Sequence, residues 1–195
     1  SGTANGTYNA GDVISIYVIT DEAIIVSGAP QLTLETGDND ADVNYSSGSG
    51  SVVLYFNYTI GSGENSSDLD YASTGALGLN GGTMTDAAGN SLTLTLPTPG
   101  DANSLGANKA LVVDTTTPTL TSVSIVSDNT TNTLATTGDD VTLTITASET
   151  IAQPVVTFQS GSNAITDTTI VYSNTSGNTW TAAYTANGND TNGSV

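Results

Sequence analysis

Apolar and polar residues alternate along most of this chain with a period of two. In GDVISIYVITDE, residues 11–22, five aliphatic residues are interleaved with Ser, Tyr and Thr, and acidic residues stand at both ends. Successive side chains of a β-strand point to opposite faces, so this pattern predicts a strand. No segment shows a convincing helical period of 3.6 residues. The chain is therefore expected to be all-β.

Clusters of Gly, Asn, Asp and Ser separate the alternating runs, as in TGDND, GSGENSS and AAGN. Short strands with turn signals between them are typical of a β-sandwich. Strands are predicted near 12–20, 30–36, 42–46, 51–60, 68–73, 91–96 and 110–114, and then near 119–127, 140–147, 154–160, 168–173 and 178–186.

The segment VVDTTTPTL, residues 112–120, indicates a domain junction. It follows an apolar strand, and Pro118 cannot donate a ladder hydrogen bond, so the strand should end before it. We therefore predict two domains, residues 1–114 and 115–195.

The second half repeats features of the first half in the same order, which indicates a tandem repeat. The offset is 127 residues at the start and shifts slightly later in the chain. The matched positions are Gly11 and Asp12 with Gly138 and Asp139, Glu22 with Glu149, Pro30 with Pro154, and Tyr58 and Thr59 with Tyr184 and Thr185.

The repeat alignment leaves both domains incomplete. TLTSVSIVS, residues 119–127, has no counterpart before Gly11, and residues 70–114 have none in the second half. We therefore expect the first domain to lack its first strand and the second to be truncated at its C-terminal strands. Inward residues such as Val141, Leu143, Ile145 and Trp180 would be partly uncovered. Either the sequence is part of a longer repeat chain, or neighbouring chains supply strands by strand addition.

The acidic net charge of the chain limits the classes of function that are possible. The chain has 19 acidic residues, one basic residue (Lys109) and neither His nor Cys, for a net charge of −18. Nucleic-acid binding needs Lys and Arg to neutralise phosphates, and binding to anionic membranes also depends on basic residues. We therefore expect neither nucleic acid nor a membrane as a partner. Without His or Cys, the usual Zn sites and Ser-His or Cys-His catalysis are excluded. Uncompensated carboxylates repel each other, and Ca²⁺, which prefers oxygen ligands, would relieve that repulsion.

The candidate Ca²⁺ ligands are acidic and amide residues at predicted strand ends. A seven-stranded immunoglobulin-like order gathers them at the two poles of the first sandwich and across the linker. One pole holds Asp12, Asp68, Asp70 and Asp114, the other holds Asp21, Glu22, Asp86 and Asn90, and Glu149 faces the linker from the second domain. The alternative for each residue is that its side chain only caps a turn.

The motifs carry a resemblance. AGDVISIYVITDEAIIV, PQLTLETG, DLDYASTGALGLNGGTMTDAAGN and SLGANKALVVDTTTP follow in the order found in bacterial immunoglobulin-like repeats of large secreted and cell-surface adhesins. Residues 6–118 resemble that family well, and the second half resembles a sister repeat type. The resemblance implies two tandem immunoglobulin-like β-sandwiches, an extracellular or cell-surface location, and Ca²⁺ between domains, as in cadherins.

A structural extender is therefore the leading functional hypothesis, with neighbouring repeats of the same or identical chains as partners. Two alternatives stay open: a subunit of a self-assembling filament or surface layer, and a carbohydrate- or ice-binding module that presents Thr and Asn side chains. We do not expect an enzyme. Paired carboxylates could serve a glycosidase, but the carboxylates fall at the poles of the predicted sandwich.

Overall fold

The chain folds into two compact units, Ser1–Thr116 and Thr117–Val195. A computed structural model describes residues 1–166 and 169–192. The predicted boundary after residue 114 lies two residues before the division between the units. The units are called here the first unit and the second unit, and each is described by itself.

The first unit contains eight strands and one helical turn. They are β1 (Gly6–Tyr8), β2 (Val13–Ser27), β3 (Gln31–Leu34), β4 (Ala41–Ser47), β5 (Ser51–Thr59), β6 (Leu77–Gly78), β7 (Thr83–Thr85), α1 (Leu105–Asn108) and β8 (Leu111–Val113). A six-stranded sheet has the order β6-β3-β4-β5-β2-β7, and β1 pairs in parallel with β8. The sheets form a sandwich-like, all-β arrangement, which confirms the predicted all-β class.

The period-two pattern places the core of the first unit. In β5, Leu54, Phe56 and Tyr58 are buried while Tyr55 and Asn57 between them are exposed. These buried residues lie in one apolar cluster with the buried residues of the other strands. Alternation in the sequence therefore corresponds to the two faces of the sheet.

Strand β2 is longer than predicted, and the predicted end of the strand near residue 20 is wrong. The β2–β5 pairing shifts register between Ile19 and Ile24, so residues 20–23 form an irregularity inside one strand. The reason is a second apolar run directly after the acidic residues: Ile24 is buried, and residues 25–27 pair with β7. Asp21 and Glu22 therefore lie in the middle of a long strand.

The first unit has a short strand before Gly11 that the sequence did not predict, but this strand is not a counterpart of 119–127, because it pairs with β8 and not with β2. Strand β1 is short, and two of its three residues are exposed. It forms because its backbone pairs with β8, with Tyr8 opposite Val113. Such a strand leaves no alternating apolar pattern to detect.

Two other predicted strands of the first unit do not form ladders. In 68–73, Leu69 and Tyr71 are buried, but only isolated contacts such as that of Leu34 with Tyr71 pair the backbone. In 91–96, alternate leucines pack against the core. The backbone of that segment is held at Leu92, which donates to Met84, and at Leu96, which donates to Thr74. In these two segments the alternation of apolar and polar residues reflects side-chain packing, although the backbone forms no continuous β-ladder.

The second unit contains β9 (Leu120–Ser127), β10 (Asp140–Ala147), β11 (Gln159–Ser160), β12 (Asn163–Ala164), β13 (Val171–Asn174) and β14 (Thr179–Thr185). Four strands form an antiparallel sheet of order β13-β14-β10-β9, and β11 pairs with β12. Of the predicted strand 154–160 only the last two residues pair. The predicted strand 168–173 begins at a residue outside those described, and β13 begins at Val171.

The predicted partial exposure of inward residues of the second sheet is confirmed for Leu143 and Trp180, which are half-buried, and is wrong for the other two. Val141 and Ile145 were expected to be partly uncovered, but both are buried in a cluster with Val156 and Phe158. Several exposed apolar residues of the second unit lie in β9, where Val123 is 54% and Ile125 is 41% exposed. Segment 151–158 therefore covers the middle of the sheet, while its β9 edge stays open.

Candidate functional site

The same capped turn begins the central strand of each unit. In the first unit, the Asn9 N–H donates to Asp12 Oδ2 at 3.0 Å, and the Asp12 N–H donates to the Asn9 carbonyl at 3.1 Å. In the second, the Thr136 N–H donates to Asp139 Oδ2 at 2.7 Å, and the Asp139 N–H returns to the Thr136 carbonyl at 3.0 Å.

Glycine makes these turns possible. Gly11 and Gly138, which precede the two aspartates, have φ values of 92° and 97°, a region that favours glycine. The Asp139 carboxylate also accepts from the side-chain amide of Asn129, and this bond, followed by the bonds from Thr136, lowers the pKa of Asp139. The acidic residue before each strand therefore caps a turn, which is the alternative to a metal ligand considered above.

Asp86 and Asn90, two predicted ligands, bind each other. The Asn90 backbone N–H donates to Asp86 Oδ1 at 2.7 Å, and the Asn90 side-chain amide donates to Oδ2 at 2.6 Å. The side-chain amide of Asn90 is the largest cause of the lowered pKa of Asp86. This residue pair closes the turn after β7.

The buried carboxylate of Asp70 holds loop 97–108 through hydrogen bonds, and Asp70 does not begin a strand. Its Oδ1 accepts from the N–H groups of Tyr71 at 2.9 Å and Leu105 at 3.1 Å, and its Oδ2 accepts from Gly100 at 3.0 Å. Buried carboxylates are stable when such donors surround them. The carboxylate of Asp70 therefore serves the backbone of this loop, and a role in binding Ca²⁺ stays a prediction.

The linker end of the first unit holds Asp68 and Asp114 with a residue that the sequence did not single out. Asp114 Oδ1 accepts from the Thr116 N–H at 3.0 Å, and Asp68 is exposed. Glu64 Oε2 accepts from the Tyr58 hydroxyl at 2.7 Å and from the Gly61 N–H at 2.6 Å. Burial, followed by the bond to Glu64, raises the pKa of Tyr58. Glu64 lies in GSGENSS, a stretch that indicated only a turn.

Asp21, Glu22, Asp86 and Asn90 are among the residues that line one cleft beside β2. The cleft has a volume of about 940 Å³. One wall is β2 from residue 16 to 22, and residues from 90–97 and 103–109 form the other, with Lys109 among them. Lys109 donates to the Thr3 carbonyl at 2.9 Å. We call this space the β2 cleft.

Glu149 differs from the other predicted ligands. Its Oε1 atom is buried and has no hydrogen-bond partner among the described residues. The neighbouring Ser148 is bonded to Thr119, at the end of the linker that belongs to the second unit. The predicted matching of Glu149 with Glu22 does not extend to structure, because Glu22 lies exposed inside β2.

The acidic residues of the described part of the chain do not gather into one cluster. Within 1–166 and 169–192, no group of three or more acidic residues lies close enough together to hold a metal ion. Four of the eight candidate carboxylates, Asp12, Asp70, Asp86 and Asp114, already accept backbone or amide donors. Calcium at the junction between the units stays a prediction.

Comparisons with known proteins add no relative. No protein-family model matches the chain, no curated protein matches it, and no solved structure matches its fold. In the part of the chain that the structure describes, no helix is long and apolar enough to cross a membrane. The geometry of the two units is therefore the basis for a functional proposal.

Proposed function

We propose that this chain is a structural spacer, made of two tandem immunoglobulin-like β-sandwich units from a large bacterial surface or secreted adhesin. The all-β architecture of two units, the shared turn at their central strands and the resemblance of residues 6–118 to adhesin repeats support the proposal. The observation that carries it is the way the linker is anchored to each unit.

The N-terminal side of the linker is bonded to the first unit by several hydrogen bonds. The Thr115 N–H donates to Asn65 Oδ1 at 2.9 Å, and the Thr115 hydroxyl donates to the Glu64 carbonyl at 3.0 Å. The Thr115 hydroxyl also accepts from the Gly63 N–H at 2.9 Å. Asn65 Oδ1 further accepts from the Thr116 hydroxyl at 3.3 Å.

The C-terminal side of the linker is bonded to the second unit. The Thr119 N–H donates to the Ser148 hydroxyl at 3.0 Å, and the Ser148 N–H donates to the Thr119 carbonyl at 2.8 Å. Only Thr117 and Pro118 lie between the two anchored segments. The proline ring fixes its own φ and restricts the residue before it. A short linker that is bonded at both ends suits a protein whose role is to keep its two ends apart.

Calcium is a separate part of the proposal. It is supported by the net charge of −18 with a single basic residue. A bound divalent cation would reduce the repulsion between carboxylates and limit movement at the junction. The spacer proposal does not depend on it, because the linker bonds described above involve no metal.

Small-angle scattering of an Asn65→Ala variant tests the proposal. The change removes the acceptor for the Thr115 N–H and the Thr116 hydroxyl, so the chain should sample a wider range of shapes. Asn39→Ala is the matched control, because Asn39 is an exposed asparagine whose backbone carbonyl makes the hydrogen bond. A wild-type chain as variable in shape as Asn65→Ala would refute the anchored linker.

A further inference from the structure

The two ends of the first unit are joined by a parallel pair of strands. Strand β1 is its first strand and β8 its last, and the two pair in parallel. At one end of the pair the Gly6 N–H donates to the Ala110 carbonyl at 3.0 Å, and at the other the Asp114 N–H donates to the Tyr8 carbonyl at 2.9 Å. Tension between the ends of the unit therefore pulls β1 and β8 in opposite directions along their common axis. The hydrogen bonds between the strands then share the load instead of breaking one at a time.

Strand β8 is fixed to the core, whereas β1 is held mainly by β8. Leu111 and Val113 are buried in the core cluster. Ser66 and Val113 exchange two backbone hydrogen bonds of 2.8 Å, and the Leu69 N–H donates to the Leu111 carbonyl at 2.8 Å. In β1, two of the three residues are exposed, and only the half-buried side chain of Tyr8 packs against the core. Under tension the contact between β1 and β8 should therefore fail before the contacts that hold β8.

Two side chains reinforce the contact between β1 and β8. The Lys109 ammonium, just before β8, donates to the Thr3 carbonyl, just before β1, at 2.9 Å. Asn5 Oδ1 accepts from the Ala110 N–H at 3.2 Å. Lys109 is the only basic residue of the chain, and a hydrogen bond from a charged donor is stronger than one between neutral groups. The single cation of the chain therefore holds its N-terminal segment to the start of the last strand of the unit.

Contacts on either side of β1 set the length of chain that can be released. Ahead of β1, the Gly2 N–H donates to the Ser15 carbonyl at 3.0 Å, outside any ladder. Behind β1, the Gly11 N–H donates to the Ile60 carbonyl at 2.9 Å, and the Ile60 N–H donates to the Asp12 carbonyl at 3.0 Å. These last two bonds continue the long pairing of β2 with β5. Detachment of β1 should therefore stop at residue 10 and leave the core of the unit in place.

We propose that β1 and β8, joined also by Lys109, form a tension latch that opens before the core of the first unit unfolds. Opening releases residues 1–10, which span roughly 35 Å when extended. The unit then lengthens under load without exposing its core. This inference rests on the spacer proposal, because a spacer transmits tension between its ends.

Optical tweezers test the order of opening. The full chain is held by its N-terminus and by Thr117→Cys, an exposed position in a chain that has no cysteine of its own. A short step of about ten residues should precede the much longer step of the core. Moving the first handle to Ala10→Cys, also exposed, applies the load behind β1, so the short step should vanish. A single long step in the wild type, or a short step that persists with the Ala10→Cys handle, would overturn the proposal.

Variants in the same tether test the role of Lys109. Lys109→Met removes the charged donor, so the rate of the short step at a fixed force should rise about tenfold, and Lys109→Arg should restore it. Val43→Ala, at a buried position of β4, should speed only the long step. Circular dichroism shows that each variant folds. An unchanged short step in Lys109→Met, or one that Val43→Ala speeds equally, would contradict the latch. Because this tether loads only the first unit, such a failure leaves the linker, tested by Asn65→Ala, unaffected.

Discussion

The two units begin their central strands with the same turn but leave different parts of the fold open. In the first unit, residues after β5 such as Leu69, Leu77, Met84 and Leu111 complete a large core, while one edge of β2 is paired with a strand only at residues 25–27. In the second unit, β9 pairs with the corresponding edge, but the apolar cluster is smaller and β9 is exposed. The comparison shows that an alternating sequence determines where strands form. How completely a sheet is covered depends on which other segments pack against it.

The largest expected effect comes from the smaller core. Phe158 is 6% exposed, and its ring lies 4.7 Å from the ring of Tyr184. Phe158→Ala should cost about 3–5 kcal/mol, as large-to-small core changes do. Because the only tryptophan, Trp180, lies in β14, its fluorescence in a denaturant titration reports on the second unit.

The matched change in the first unit is Phe56→Ala at a fully buried position. It should cost a similar free energy and leave the Trp180 transition in place, while the tyrosine signal, which comes from six tyrosines of the first unit and two of the second, shifts. If Phe56→Ala moves the Trp180 transition as far as Phe158→Ala does, the two units unfold together and are not separate in stability.

The second expected effect distinguishes two neighbouring carboxylates of the first unit. Asp70→Ala leaves the N–H groups of Tyr71 and Leu105 without their acceptor and that of Gly100 with only the Ser104 hydroxyl, which should cost about 2–3 kcal/mol. Asp68→Ala, at an exposed position, should change stability by less than about 0.5 kcal/mol. Thermal unfolding of both variants measures the difference in stability. Equal losses of stability would show that the Asp70 carboxylate does not hold loop 97–108.

The sequence predicted the elements whose pairing follows alternation, such as β5, β10 and β14. It missed β1, because a short polar strand is stabilised by its parallel partner and not by its own pattern. It placed a strand at 68–73, where Leu69 and Tyr71 are indeed buried. There the Asp70 carboxylate binds the backbone of a distant loop, a contact that no local pattern indicates.

The sequence predicted the turns formed by several candidate ligands better than it predicted which of these residues lie close together. The Gly-Asp pairs correctly marked the start of β2 and β10, and Asp86 with Asn90 correctly marked a turn. Their expected gathering at poles rested on an assumed strand order that ended β2 at Thr20. The bulge that keeps Asp21 and Glu22 inside β2 depends on its pairing with both β5 and β7.

The third expected effect is stabilisation by Ca²⁺. A single bound ion at a hundredfold excess over its Kd should add about 2.7 kcal/mol to the free energy of unfolding. Melts in Ca²⁺ should exceed melts in EDTA by several degrees, and the tyrosine and Trp180 signals show which unit gains. Mg²⁺ at the same concentration controls for simple screening. Identical curves in Ca²⁺ and EDTA would refute the calcium prediction.

The smallest expected effect is loss of stability in acid. Hydrogen bonds lower the pKa of Asp139 and Asp190 in the second unit below their ordinary value of 3.8. A depressed pKa stabilises the fold above that value, and the contribution is lost as pH falls through the folded pKa. The Trp180 transition should therefore weaken below about pH 4, and less so in Asp139→Asn. A transition independent of pH between 3 and 7 would contradict this.

The spacer account depends most directly on the distance between the two units. Asn39→Cys and Ser173→Cys place one exposed cysteine in each unit of a chain that has none. Spin labels at these positions report the distribution of distances by pulsed electron resonance, in wild-type background and with Asn65→Ala. The anchored linker predicts one narrow peak that broadens in Asn65→Ala. A broad distribution that is the same in both chains would contradict the spacer account.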